Sequence, residues 1–365
     1  MRAPVVSVVV ALAVGLAAGW LARGEPEAPG VAPSPSASPS PPAEPSPIPR
    51  GQRSLFFVPF FGDYVSEGAR EAGRKVVRAL HGDEGACAEA LADFDRLEKV
   101  EGYGGDLPAL RFVCEYLLAD EENRAALRAS TREADRFLRF FEPEGFARLA
   151  RHLELKYGGE RAPRNAGQFL FHEEFLRFNS PTRETWERAG ALVDVVAPKE
   201  GEVVADVGAG TGFYAWRFAE RVGASGKVYA VELSPLHLGY LRQVVEEEGI
   251  ANVEAVEGVE GGTGLPERSA DVVFLCLLYQ AIYGTVDPAA RVAFVESVKK
   301  TLKPGGRLVV VESVPADEIA PGVVPFGGFS ISRDLVVPQL EAFGFRLLRE
   351  ERWVPQRYVL VFEAP

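Results

Sequence analysis

The stretch Val203-Val204-Ala205-Asp206-Val207-Gly208-Ala209-Gly210-Thr211-Gly212-Phe213 decides how this chain is read. A β-branched run enters a glycine-rich turn, and Tyr214–Val222 follows with apolar residues at helical spacing, so strand, turn and helix succeed one another. Glycines there permit positive φ and let a ligand lie against backbone that a Cβ would shield. The helix start behind them offers free N–H groups to a polar or anionic end of that ligand. Twenty residues past Gly212, a second strand, Lys227–Glu232, ends in Glu232. A carboxylate at that point accepts hydrogen bonds from ribose hydroxyls.

Outward from this core, short β-branched runs alternate with helical patterns. Further strands are expected at Val253–Glu257, Asp271–Leu277, Arg307–Glu312, Phe345–Val354 and Tyr358–Glu363, in addition to Val203–Asp206. Helices are expected at Leu236–Glu248, Pro288–Leu302 and Arg333–Phe343, the second opened by Asp287 as N-cap and Pro288 at N1. The alternation implies an α/β fold with a doubly wound, mostly parallel sheet, and such sheets bind ligands at the carboxyl ends of their strands.

The glycine spacing separates two ligand classes. Dinucleotide enzymes carry G-x-G-x-x-G, whereas this chain has G-x-G-x-G, Phe213 in the next position and Asp206 two residues before the first glycine. A nicotinamide-dependent oxidoreductase is disfavoured by that spacing and by the lack of a Tyr-x-x-x-Lys pair in this region. The turn resembles that of the class I S-adenosylmethionine-dependent methyltransferases, and the resemblance runs from about Glu184 to Ala364. It includes the fifth-strand signature Leu302-Lys303-Pro304-Gly305-Gly306-Arg307-Leu308-Val309-Val310-Val311-Glu312 and a closing hairpin around Gly344-Phe345 and Tyr358–Phe362. The resemblance implies a Rossmann-like seven-stranded sheet with a C-terminal antiparallel hairpin and S-adenosylmethionine as cofactor. It implies that Asp206, Gly208, Ala209, Gly210 and Gly212 hold the methionine end and Glu232 the ribose. For adenine it points to Gly258, Val259 and Glu260, where many relatives carry Gly-Asp: either Glu260 substitutes or apolar contacts alone hold the ring.

Methyl transfer from a sulfonium depends mainly on positioning, and a base is needed only for an acceptor that carries its proton. Tyr279, Gln280, Tyr283 and Glu312 stand at strand ends where an acceptor would be touched, with Tyr279, Gln280 and Glu312 taken as the catalytic candidates. Many relatives read Asp-x-Tyr-His-His after strand four, where this chain has Leu277-Leu278-Tyr279-Gln280-Ala281. The bland readings are packing for the tyrosines and a helix or loop hydrogen bond for Glu312. The Asn/Asp-Pro-Pro-Tyr stretch of amino-methylating enzymes is absent. With a net charge of -12 from 40 basic and 52 acidic residues, a nucleic-acid partner is not expected. A small-molecule or lipid acceptor is, and the Phe326/Phe329 loop favours an apolar one. The alternative is a non-catalytic scaffold that has kept the cofactor fold.

Ahead of the α/β region, Ser54–Asn179 shows apolar residues at helical spacing and reads as five or six helices, an all-α domain over 54–183 before a methyltransferase domain over 184–365. Gly82, Gly102, Pro143 and Gly158 are the expected breaks. Its phenylalanine clusters at 56–61, 137–141 and 169–178 read as core packing, with the lining of an apolar substrate pocket as the alternative, and its role as a cap, a dimerisation surface or a partner-binding module. Residues 1–24 read as a transmembrane anchor or signal peptide, Ala3–Ala22 being long enough to cross about 30 Å of hydrocarbon. Residues 25–53 read as a disordered linker, with ten of the 27 prolines lying between Glu25 and Arg50. Arg2 against Arg23, Glu25 and Glu27 places the bulk of the chain outside the cytoplasm. Cofactor supply and an odd cysteine count (Cys87, Cys114, Cys276) favour the inside, so the side stays open. No metal site is expected from four scattered histidines and cysteines without CxxC spacing.

Overall fold

The computed structural model describes residues 56–57, 66–100, 106–157, 166–285, 288–320 and 329–365. The expected anchor, the linker, Asp287 and Phe326 lie outside the described residues. Among those described, no helix is long and apolar enough to cross a membrane.

Seven strands form one sheet: β2 (Val203–Val207), β3 (Lys227–Glu232), β4 (Val253–Glu257), β5 (Ala270–Cys276), β6 (Leu302–Ser313), β8 (Arg346–Val354) and β9 (Arg357–Glu363). Their order is β4-β3-β2-β5-β6-β9-β8, parallel from β4 to β6, with β9 antiparallel to both of its neighbours. The order turns back between β2 and β5, which opens a crevice at their carboxyl ends. Period-two alternation sends Leu308 and Val310 of β6 into one apolar cluster and Val309 and Val311 into another on the opposite face. Both faces are therefore covered, and the central strands read as continuous apolar runs for that reason.

Before the sheet, seven α-helices are described between Glu67 and Phe178, one more than the five or six expected. Ser66, Asp120 and Thr131 cap three of them by accepting from the N–H groups of Ala69, Asn123 and Ala134 at 2.9–3.1 Å. Further short helices, Arg183–Glu187, Ala189–Val196 and Tyr279–Thr285, were not anticipated from the sequence.

The helical layer is fastened to the sheet domain by charge and aromatic contact. The buried Arg136 guanidinium donates to both Glu248 oxygens at 2.8 and 2.5 Å and lies 5.0 Å from the Trp216 ring centroid. Arg217 meets Glu133 at 2.8 Å, and Phe140, Phe171 and Phe175 pack on Tyr240. Two elements join the regions read as separate domains. Phe56–Phe57 (β1) pairs antiparallel with Phe329–Ser330 (β7) of the C-terminal half, and the helix Arg183–Glu187 spans the boundary drawn at 183/184.

Candidate functional site

The glycine turn closes over the end of β2. The N–H groups of Gly208 and Ala209 donate to the Val231 carbonyl at 2.9 and 3.0 Å, tying the loop to β3. Gly210 (φ 56°) and Gly212 (φ 86°) occupy the left-handed region, and they differ in what surrounds them. A Cβ on Gly212 would meet Trp216 at 2.5 Å and Leu241 at 2.7 Å, whereas one on Gly210 would meet nothing within 4 Å. Gly212 therefore serves the start of the Phe213–Val222 helix, and Gly210 borders open space.

Glu232 is buried at the end of β3. Its Oε2 accepts from Gly210 N–H at 2.9 Å, and its Oε1 accepts from Leu233 and Ser234 N–H at 2.7 and 3.0 Å. Burial raises its pKa, with His237 and these N–H groups opposing. The carboxylate is thus locked in direction by three backbone donors while Oε2 keeps a lone pair for a further donor. Asp206, 3% exposed, carries an Oδ2 with no hydrogen-bond partner. Burial pushes its pKa up to about 7 against the pull of Arg183.

These groups line one cavity of about 240 Å³. Asp206, Gly208, Ala209, Gly210, Glu232, Gly258 and Val259 all border it. Gly212 and Glu260 do not; Glu260 is exposed, and the next two residues, Gly261 and Gly262, line the cavity. Leu277, the residue after β5, has φ 58°, a rare conformation for leucine, and lines the same wall.

Of the catalytic candidates, Gln280 alone reaches the cavity. It is 6% exposed and its Oε1 has no partner. Tyr279 is packed in the core, and its hydroxyl donates to Gln339 Oε1. Glu312 is fully buried, and its Oε1 accepts from Gln280 N–H at 3.0 Å at the start of the Tyr279–Thr285 helix. Parity explains its position: Glu312 follows Leu308 and Val310 onto the face where Tyr279 and Tyr358 pack. Burial pushes its pKa up to about 8. It is a helix-capping side chain, and Tyr283 likewise lies off the cavity, beneath the Arg291 guanidinium.

Apart from Phe178, whose cluster the sequence offers as a pocket lining, sequence reasoning missed a second group of residues. Leu170, Glu174, Arg177, Phe178 and Arg183, from the helical layer and the helix after it, line the cavity alongside His237 and Arg357. His237 Nε2 lies 2.8 Å from Glu174 Oε2; burial lowers the histidine pKa, but Glu174 outweighs it and the net change is upward. Arg183 and Arg357 share Glu187, 170 positions from Arg357 in sequence. No local pattern signals such a contact. Among the described residues, no group of three His, Cys, Asp or Glu side chains is placed to hold a metal ion.

Residues 204–306 match the family profile described as "Methyltransferase domain". The chain is 32% identical over 162 residues to a protein-L-isoaspartate O-methyltransferase of Aeropyrum pernix, covering 43% of this chain and 58% of that protein. It is 27% identical over 148 residues to a ubiquinone/menaquinone biosynthesis C-methyltransferase of Shewanella frigidimarina, covering 40% and 56%. The crystal structure of a SAM-dependent methyltransferase from Aquifex aeolicus aligns over 51% of this chain and 94% of that one, with 24% identity and a TM-score of 0.42. The chain spans little more than half the length of the two curated relatives. Residues 204–306 thus match a methyltransferase domain, and S-adenosylmethionine is the cofactor that the Asp206–Gly212 turn implies. The residues fit that group: Asp206 has an unpartnered buried acceptor, Gly210 an open approach and Glu232 a carboxylate fixed by backbone donors, and in one crevice these would suit an ammonium and a ribose diol.

Proposed function

We propose that the protein transfers a methyl group from S-adenosylmethionine to a small-molecule or lipid acceptor. The observation that carries this reading is the convergence of Asp206, Gly210 and Glu232 on one cavity at the turning point of the sheet. When bound, S-adenosylmethionine supplies an electrophilic methyl carbon on a sulfonium. In this reading Glu232, held by Gly210, Leu233 and Ser234, accepts from the ribose, and Asp206 accepts from the ammonium end. Gly208, Ala209 and Gly210 supply the backbone approach, and Gly258 and Val259 bound the adenine. Gln280, whose amide oxygen has no partner in the wall, orients a hydroxyl or amine of the acceptor.

Apolar lining by Leu170, Phe178, Leu278, Ile282 and Phe294 supports an acceptor with a hydrophobic body, and the net charge of -12 argues against nucleic acid. We read residues 1–24 as tethering the protein to a membrane, on a side left open. Calorimetric titration of the full chain with S-adenosylhomocysteine tests the core of the proposal. Binding that Gly210→Arg abolishes is the expected result; no binding by folded protein would turn the reading toward a scaffold.

A further inference from the structure

The acceptor count at Glu232 falls short of a ribose. A carboxylate offers about four lone-pair positions, and a ribose diol brings two O–H donors. Backbone takes three of the positions on Glu232: Oε1 accepts from the N–H groups of Leu233 and Ser234, and Oε2 from that of Gly210. One position is left, so one hydroxyl meets Glu232 and the other needs a second acceptor. A hydroxyl drawn into a crevice without one gives up its hydrogen bond to water for nothing.

The helical layer brings a carboxylate to the same cavity. The helix Ala166–Phe178 carries a stripe at helical spacing, Leu170, Phe171, Glu174, Phe175 and Phe178. Phe171 and Phe175 pack on Tyr240 of the sheet domain, at 6.4 and 5.2 Å between ring centroids. Glu174 is the charged member of that stripe, and it lines the cavity together with Leu170 and Phe178.

His237 fixes it there. The imidazole is 3% exposed, its Nε2 lies 2.8 Å from Glu174 Oε2, and its ring meets the Phe171 ring edge-on at 4.9 Å. His237 stands in the first turn of the helix Pro235–Glu248, just after the Leu233-Ser234 turn that holds Glu232. Charge joins the three groups. Burial opposes ionisation of both His237 and Glu232, while the two glutamates favour the imidazolium and the imidazolium favours the Glu232 carboxylate. A cation beside them lets two carboxylates share one end of a cavity. Glu174 commits Oε2 to His237; among the described residues none donates to its Oε1, and 34% of the side chain stays exposed, so a ligand can reach it. Asp206 Oδ2 and Gln280 Oε1, also unpartnered, stand near the ends of β2 and β5 and are assigned to the ammonium and the acceptor.

Resting on the methyltransferase reading, we propose that Glu174 is a cofactor-binding residue contributed by the helical layer, accepting the ribose hydroxyl that Glu232 has no room for, and that His237 positions it. The ribose is then held by two carboxylates from different parts of the chain. The helical layer is thereby a component of the cofactor site and not a separate module.

The test is calorimetric titration of the full chain with S-adenosylhomocysteine and its 2′-deoxy and 3′-deoxy analogues. In the wild type, loss of either hydroxyl should cost at least about tenfold in affinity, because each meets its own charged acceptor. Glu174→Ala should lose a similar factor toward S-adenosylhomocysteine, yet bind one of the two deoxy analogues as well as the wild type binds it. His237→Gln, which releases the clamp, should weaken the contribution of that same hydroxyl and leave the other's intact. A Glu174→Ala variant weakened by one common factor toward all three ligands would mark a structural role or a contact elsewhere on the cofactor, and overturns the proposal. Unchanged affinity of that variant for S-adenosylhomocysteine overturns it too. So does a wild type indifferent to the loss of either hydroxyl, a result that needs no variant to fold. Failure of the wild type to bind S-adenosylhomocysteine at all would instead remove the methyltransferase reading, and this proposal with it.

Discussion

Asp206→Asn should stabilise the protein without ligand and weaken it as a cofactor binder, and the pH dependence separates these effects. Asp206 is buried with one oxygen unpartnered, and its pKa stands at about 7 against an ordinary 3.8. Its folded pKa lies above the unfolded one, so the ionised carboxylate is penalised in the native state. Below about pH 4 both states hold the proton and the penalty vanishes. Between pH 4 and 7 the unfolded chain releases its proton and the folded one keeps it, so stability falls as pH rises. Above 7 the penalty is constant, at a ceiling of about 4 kcal/mol for a displacement of roughly three pH units. Asparagine keeps the shape and removes the titration. Urea unfolding followed by tryptophan fluorescence should give near-equal stabilities at pH 4 and a variant more stable by up to about 4 kcal/mol at pH 8. Glu312 titrates in both proteins and cancels in the difference. The same variant should bind S-adenosylhomocysteine at least about tenfold more weakly. Parallel stability curves, or a variant less stable at pH 8, would refute the picture of a strained carboxylate awaiting a partner.

The two glycines should respond oppositely to alanine. Gly212→Ala should cost about 3 kcal/mol through its collisions with Trp216 and Leu241; Gly210→Ala, with open space around it, should cost about 1 kcal/mol yet impair S-adenosylhomocysteine binding. Denaturation and calorimetry on both variants read this directly. Tyr279→Phe should lose about 1 kcal/mol with its bond to Gln339 and leave S-adenosylhomocysteine affinity unchanged, so a loss of affinity would return Tyr279 to the site. Arg136→Met should cost about 2–4 kcal/mol by stranding Glu248 and removing the Trp216 contact. A double-mutant cycle with Glu248→Gln should then be strongly non-additive.

The parts of this protein legible in its sequence are those whose cause is local. The Asp206–Gly212 turn, the Glu232 strand end and the strands Lys227–Glu232 and Val253–Glu257 each carry their signal within a few residues, and the structure places them as expected. Glu312 shares the parity of Leu308 and Val310 on β6, but both faces of that strand are packed, so parity alone did not tell that Tyr279 and Tyr358 would close over it. Tyr279 is a similar case: the helix beginning at that residue points its side chain at Gln339, and only the fold of Arg333–Ala342 against that helix determines it. Arg183, Glu187 and Arg357 were invisible for a stronger reason. They come from a short helix before the sheet and from the last strand, and they meet only once β9 has inserted beside β6. Each taken singly reads as an ordinary surface charge, and burial alone makes the trio consequential. The cofactor end of the cavity was therefore written in a contiguous motif, whereas the cluster of Arg183, Glu187 and Arg357 is assembled by topology.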